Sequence, residues 1–134
     1  MADRLTKEQR SYCMSRIRSK NTKIEVSFRR LLFNRGLRYR IHYNGLPGKP
    51  DIVFPGKKIA IFIDGDFWHG RNFKDRKHTY NEYWYNKIKT NMERDKRVNK
   101  LLRKQEWKVV RIWGKDLKKN PGKYGDKIER MVRF

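Results

Sequence analysis

The sequence holds one cysteine, Cys13, which excludes an intrachain disulfide and any zinc site built from several thiolates. No stretch approaches the roughly 20 apolar residues a membrane span needs, and the opening MADRLTKEQR has no apolar core of a secretory signal. Acid is also scarce: 14 Asp and Glu stand against 36 Lys and Arg, a formal net charge of +22 in 134 residues. These absences fit a cytoplasmic protein. They argue against an anionic membrane as partner, because the bases are spread along the whole chain and not gathered on one amphipathic helix. So large a charge repels itself unless a polyanion is near, so nucleic acid is the leading partner class.

At 37% hydrophobic and 13% aromatic, the chain can bury a modest core, and its length suits one domain, 1–134, with no internal repeat or low-complexity linker. Thr6-Lys7-Glu8-Gln9 and Thr22-Lys23-Ile24-Glu25 both read as capping boxes, which predict helices over 7–18 and 23–35. In the second, Ile24, Phe28, Leu31 and Leu32 form an apolar face, and Gly36 is placed to take a left-handed C-terminal conformation. Loose alternation predicts a strand over 37–42. Strands over 51–54 and 58–63 follow, joined by a Pro55-Gly56 turn, and the near-continuous apolar run of the latter suits a central strand. An irregular connection is expected over 64–79. A long helix over 81–105 would bury Trp84, Ile88, Met92, Leu101 and Leu102, with a strand over 107–113 and a closing helix over 123–133. The expected class is α/β, a central mixed four-stranded sheet flanked by helices in the order α-α-β-β-β-α-β-α.

Among the few acids, Asp51 opens one strand and Asp64 ends the next, so a hairpin would bring both to one edge of the sheet. A hard divalent ion binds through one or two carboxylates plus substrate phosphates, and there it could activate water for attack on a phosphodiester. The competing reading is that both acids are turn formers at strand ends; the basic surroundings favour the first. His69 follows Asp64 by five residues and could move a proton near neutral pH, whereas His42 and His78 have no acidic neighbour of this kind. Glu25 is divided between capping and orienting His69 or a water. Asp95, in a helix full of bases, reads by itself as a solvated ion-pair partner. Phe67 and Trp68 are adjacent on a loop, so at least one is poorly placed for the core and free to wedge or stack on bases. Trp84 and Met14 by themselves read as core. Lys49, beside Pro50-Asp51, is placed to hold a phosphate, and Arg71, Lys74, Arg76 and Lys77 form a further basic cluster.

The four blocks 46–54, 61–70, 91–95 and 107–113, in this order and spacing, together resemble the very short patch repair (Vsr-type) endonucleases, mismatch-nicking enzymes with the PD-(D/E)XK nuclease fold. The likeness runs from Met14 to about Leu117. It implies that Asp51 is the essential metal-binding aspartate, that the Ile63 backbone carbonyl is a Mg²⁺ ligand, and that Asp64 stands where relatives carry histidine or aspartate. It also implies that His69 is the catalytic histidine, with Glu25 and Asp95 supporting these positions. Phe67, Trp68 and Trp84 would form the aromatic wedge that enters the duplex, Met14 would intercalate from the other side, and residues 1–20 would be a helical DNA-contacting segment. The structural zinc usual in the family falls here on Asp66, Arg71, Phe73 and Lys115, none a thiol or imidazole, so no zinc is expected. The loop 66–80 must then be ordered by packing or by DNA, and is expected to be mobile without DNA.

The resulting expectation is a Mg²⁺-dependent endonuclease, with Mn²⁺ able to substitute, that nicks double-stranded DNA 5′ of the mispaired T in a T:G mismatch. Other mismatch-repair proteins would be its partners. One alternative is a restriction or defence nuclease of the same fold that needs no mismatch. Another is a catalytically idle DNA-binding module, against which the carboxylate pair argues, since anions near phosphate only weaken binding unless a cation bridges them.

Overall fold

The computed structural model describes residues 22–66 and 69–134; the expected helix over 7–18 and the side chains of Met14, Phe67 and Trp68 lie outside them. The first described helix, α1 (Lys23–Asn34), starts where Thr22 caps it: the Thr22 hydroxyl accepts from the Glu25 N–H at 3.2 Å. It ends in a Schellman motif. Gly36, at φ +84°, donates to the Phe33 carbonyl, and Leu37 donates to that of Leu32.

Strands β1 (Ile52–Phe54) and β2 (Ile59–Asp64) form the expected antiparallel hairpin, turned by a short 3₁₀ segment, Pro55–Lys57. Strand β3 (Lys108–Trp113) lies parallel to β2, so the sheet is mixed in the order β1-β2-β3. The long helix α3 (Glu82–Lys104), capped by Asn81 accepting from the Trp84 N–H, makes the crossover from β2 to β3. Between β2 and α3 the connection contains a short helix, α2 (Phe73–Arg76), and a 3₁₀ turn, Lys77–Thr79. After β3 come α4 (Gly114–Lys119) and α5 (Pro121–Arg133).

Two expectations need correction. Three strands are present among the described residues, not four: the segment 37–42 contributes only a bridge, in which Arg40 exchanges both backbone hydrogen bonds with Val53. The chain leaves the extended conformation at His42, whose φ is +54°, so the ladder cannot propagate. The order is likewise extended by α2 and α4, which the periodicity did not indicate because each is too short to display one.

The sheet divides the core in two. Odd-numbered side chains of β2, Ile59 and Ile61, pack with Phe28, Leu32, Leu117 and Ile128 beneath α1, α4 and α5. Even-numbered Ala60 and Phe62 pack with Val98 and Leu102 of α3. Both faces of β2 are thus covered, which explains its unbroken apolar run. The buried positions of α3 are Trp84, Ile88, Asn91, Val98 and Leu102, so Leu101, expected inside, lies half outside at 48% exposure.

Candidate active site

Every described acid singled out by the sequence comes to the end of the sheet at which β1 begins and β2 finishes. Asp51 enters β1 by donating its N–H to the Ile61 carbonyl at 2.9 Å, and its Oδ2 accepts from the Ile63 N–H at 2.7 Å. The loop before it is held down by close packing. Gly48 has φ +76°, and a Cβ there would meet Val98 Cγ1 at 2.5 Å, so only glycine lets the backbone pass over α3 at this point. Lys49, also in the left-handed region, lines a cavity of about 90 Å³ with Pro50, Asp51, Glu25, His42, Tyr43 and Asn44.

Carbonyl directions along β2 follow from the alternation of strand hydrogen bonds. The Lys58 carbonyl accepts from Lys108 of β3, and that of Ile61 accepts from Asp51 on the β1 side. Odd-numbered carbonyls therefore point toward β1, and the Ile63 carbonyl points past the start of β1, on the side of Asp51. Burial, opposed by the Ile63 hydrogen bond but reinforced by the negative charges of Glu25 and Asp64, raises the Asp51 carboxyl to about 7. Glu25 is buried at 4% exposure, and its carboxylate accepts from Arg29 Nη1 at 3.4 Å.

On the α3 side of the sheet, Asp64 is buried and receives Arg111 Nη1 at 3.0 and 3.1 Å on its two oxygens. His69 Nδ1 lies 2.5 Å from Asp95 Oδ2 and 3.8 Å from Asp64 Oδ1. Burial lowers the imidazole, but the Asp95 hydrogen bond and the charges of Asp64 and Asp95 outweigh it, so the net displacement is upward. The Asp64 carboxyl is raised, chiefly by burial against the opposing pull of His69 and Arg111. His69 is fixed by its neighbour: Gly70 has φ +70°, and a Cβ there would lie 2.4 Å from Met92 Sδ and 2.9 Å from Ile88 Cγ2. Ile88, Met92 and Asp95 follow one another along α3, so the chain is pressed on the helix where Asp95 can reach the imidazole.

Asp51 and Asp64 thus share one end of the sheet but open to different cavities; that of Asp64, about 210 Å³, includes His69, Asp95, Lys96, Arg111 and Trp113. Trp84 is 6% exposed and edge-on to Tyr83, a packed position. Arg71 Nη1 bridges Asp66 at 3.0 Å and Asp116 at 2.8 Å, and the Lys115 N–H donates to Asp66 Oδ1 at 3.1 Å. Of the residues at the expected zinc positions, Asp66, Arg71 and Lys115 thus form a polar clamp between the loop and α4, while Phe73 packs on Tyr80 and Tyr85. Sequence reasoning set His42 aside, although it lines the Asp51 cavity beside Glu25, and did not single out Arg111 or Asn99. Arg111 was visible as a charge inside the apolar run of β3; His42 reaches the Asp51 cavity only through its left-handed turn.

A mixed α/β sheet that gathers buried carboxylates and a paired histidine at one end, in a chain of net charge +22, has the make-up of an enzyme that hydrolyses nucleic acid. Comparison with known proteins makes the class definite. The family model described as DNA mismatch endonuclease Vsr matches residues 2–75. The type II nicking enzyme V.HpaIIP of Haemophilus parainfluenzae is 43% identical over 134 residues, covering 97% of this chain and 95% of that protein. V.NmeDIP of Neisseria meningitidis serogroup C is 40% identical, covering 98% and 90%. The DNA mismatch endonuclease Vsr of Escherichia coli is 38% identical over 116 residues, covering 84% and 74%. The chain belongs to the Vsr family and is a DNA endonuclease.

Proposed function

We propose that this protein is a Mg²⁺-dependent, strand-specific nicking endonuclease of the PD-(D/E)XK type. It cuts duplex DNA 5′ of the mispaired T in a T:G mismatch and leaves a 5′ phosphate. The observation that carries the reading is the pairing of Asp51 with the Ile63 backbone: a half-buried carboxylate that accepts from the Ile63 N–H at 2.7 Å lies beside a strand-end carbonyl directed the same way. Hard oxygen donors of this kind suit Mg²⁺, and Mn²⁺ can take its place. The Asp51 carboxyl, raised by burial and by the negative charges of Glu25 and Asp64, fits that demand. Asp51 and the Ile63 carbonyl would hold the ion, with Asp64 supporting from the adjoining cavity. When bound, the ion supplies an acidified water and neutralises charge at the scissile phosphate.

The remaining chemistry belongs to the side chains. With Nδ1 engaged by Asp95, His69 keeps Nε2 as the atom that accepts or returns a proton. Lys49, at the mouth of the Asp51 cavity, would hold the phosphate in place. Glu25, lining the same cavity, would orient water there. Met14, Phe67 and Trp68 would enter the duplex at the mismatch, where unstacking costs least; Trp84, expected in the same wedge, is instead packed at 6% exposure. Arg71 would contact the DNA backbone. The whole chain would act as one domain on chromosomal DNA in the cytoplasm.

The test is a cleavage panel of T:G, every other mismatch and fully paired duplexes, with Mg²⁺ and with EDTA. Mg²⁺-dependent nicking of T:G alone, lost in Asp51→Ala, is expected. Equal cutting of paired DNA would favour a defence nuclease, and undiminished nicking by Asp51→Ala would refute the metal reading.

A further inference from the structure

Among the described residues, Asp64, His69 and Asp95 form one group whose ligand atoms all lie within 4.8 Å of one another. Two carboxylates and an imidazole at that spacing suit a borderline divalent ion such as Mn²⁺ or Zn²⁺. The group is already supplied with a cation. Arg111 Nη1 touches both Asp64 oxygens and lies 3.6 Å from Asp95 Oδ1. The guanidinium is also fixed from behind. Its Nε donates to Asn99 Oδ1 at 2.6 Å, and its Cζ lies 4.1 Å from the centre of the Phe62 ring. It cannot swing away without breaking both contacts, and Lys96 adds a further positive charge at the same cavity.

We infer that Arg111 is the resident cation of the Asp64–His69–Asp95 group, filling the place a second divalent ion would take and so confining metal binding to the Asp51 side of the sheet. Arg111 is a positioning residue: it holds Asp64 by both oxygens, and it acts on the reaction through Asp64 and not by touching DNA. The placement has a chemical consequence. A divalent ion bound at His69 would occupy the imidazole or its acid partner and prevent proton transfer; a guanidinium, which has no coordination sphere to fill, leaves His69 free.

The inference rests on the reading of Asp51 as the metal-binding acid, and Mn²⁺ binding to the full-length protein without DNA, followed by electron paramagnetic resonance, separates the two. Wild type is expected to hold one tight ion, lost in Asp51→Ala. In the Asp51→Ala background, Arg111→Met should restore one ion, bound at least tenfold more tightly than by Asp51→Ala alone. Adding Asp64→Asn should abolish it, and Arg111→Lys should not create it. Equal Mn²⁺ binding by Asp51→Ala with and without Arg111→Met would overturn the inference. So would two tight ions in wild type, one of them removed by Asp64→Asn, an outcome that needs no Arg111 variant. Arg111→Gln, with near-ultraviolet circular dichroism as the fold check, replaces Arg111→Met if the latter does not fold. If wild type binds no ion but Arg111→Met gains one, the reading of Asp51 fails and the role of Arg111 stands.

Discussion

Replacing Asp51 by asparagine should stabilise the metal-free protein while abolishing its activity. Burial raises the Asp51 carboxyl from 3.8 to about 7, with Glu25 and Asp64 adding to the effect and the Ile63 N–H and His69 opposing it. The folded protein therefore keeps, between about pH 4 and 7, a proton that the unfolded chain has already released. Stability falls as pH rises through this window, by at most about 1.4 kcal/mol per pH unit, and the loss is complete once the folded carboxyl ionises. The gap corresponds to about 4 kcal/mol, and relaxation with water entry would reduce the measured value to about 2–3 kcal/mol. Asparagine keeps an oxygen for the Ile63 N–H but carries no charge at any pH. In EDTA, urea unfolding should show Asp51→Asn more stable than wild type by about 2–3 kcal/mol at pH 8.5, with the difference shrinking toward zero near pH 4. Mg²⁺ should then stabilise wild type and leave the variant unchanged. A difference that does not vary with pH, or a variant less stable than wild type at pH 8.5, would refute the claim that Asp51 is a desolvated charge waiting for a cation.

Asp95→Asn removes the hydrogen bond that raises the His69 imidazole, so the His69-dependent limb of the single-turnover pH profile should move to lower pH, with nicking down about 10²-fold. An unmoved limb would show that His69 does not titrate in the reaction. Gly70→Ala forces a Cβ into Met92 and Ile88 at a left-handed backbone position, and should cost more than about 1 kcal/mol in denaturant unfolding and slow nicking in parallel. Arg71→Ala releases Asp66 and Asp116 together, so limited proteolysis should cut the 66–80 connection faster while the sheet core keeps its melting temperature.

Helices α1, α3 and α5 and the hairpin were legible because each carries its own local signal. Thr22 caps α1, Gly36 ends it in the left-handed conformation, and Pro55-Gly56 turns β1 into β2. The failures have equally local causes. Residues 37–42 alternate like a strand, but alternation cannot reveal that His42 turns left-handed and limits the pairing to Arg40. Judged by its charged neighbours alone, Asp95 read as a solvated ion-pair partner, and only the family resemblance put it beside His69, where it lies. Its position was there to be seen in the stripe Trp84, Ile88, Asn91, Val98 and Leu102, whose spacing places residue 95 on the buried side. The same stripe leaves out Leu101. Glu25 was divided between cap and site: its backbone N–H donates to the Thr22 hydroxyl, whereas its carboxylate accepts from Arg29 and the residue lines the Asp51 cavity. Arg111 was passed over because no property of a single strand shows which helix will face it.

The end of β2 explains how a chain of such positive charge keeps two acidic positions apart in function. Successive side chains of a strand point to opposite faces, and successive carbonyls point to opposite neighbours. Ile63 therefore turns its side chain toward the α1 core and its carbonyl toward Asp51, whereas Asp64 turns its carboxylate toward α3, Asp95 and Arg111. Shifting β2 by one residue would exchange these roles and bury a carboxylate in the core beneath α1. That register is fixed by the polar end of the strand, where the Ile63 N–H is held by Asp51 and the Asp64 carboxylate by Arg111, and by the parallel pairing of Asp64 with Trp113. The Asp51 cavity and the cavity of Asp64, His69 and Asp95 are in this way separated by one peptide unit of β2, which is the separation the proposed division between metal binding and proton transfer requires.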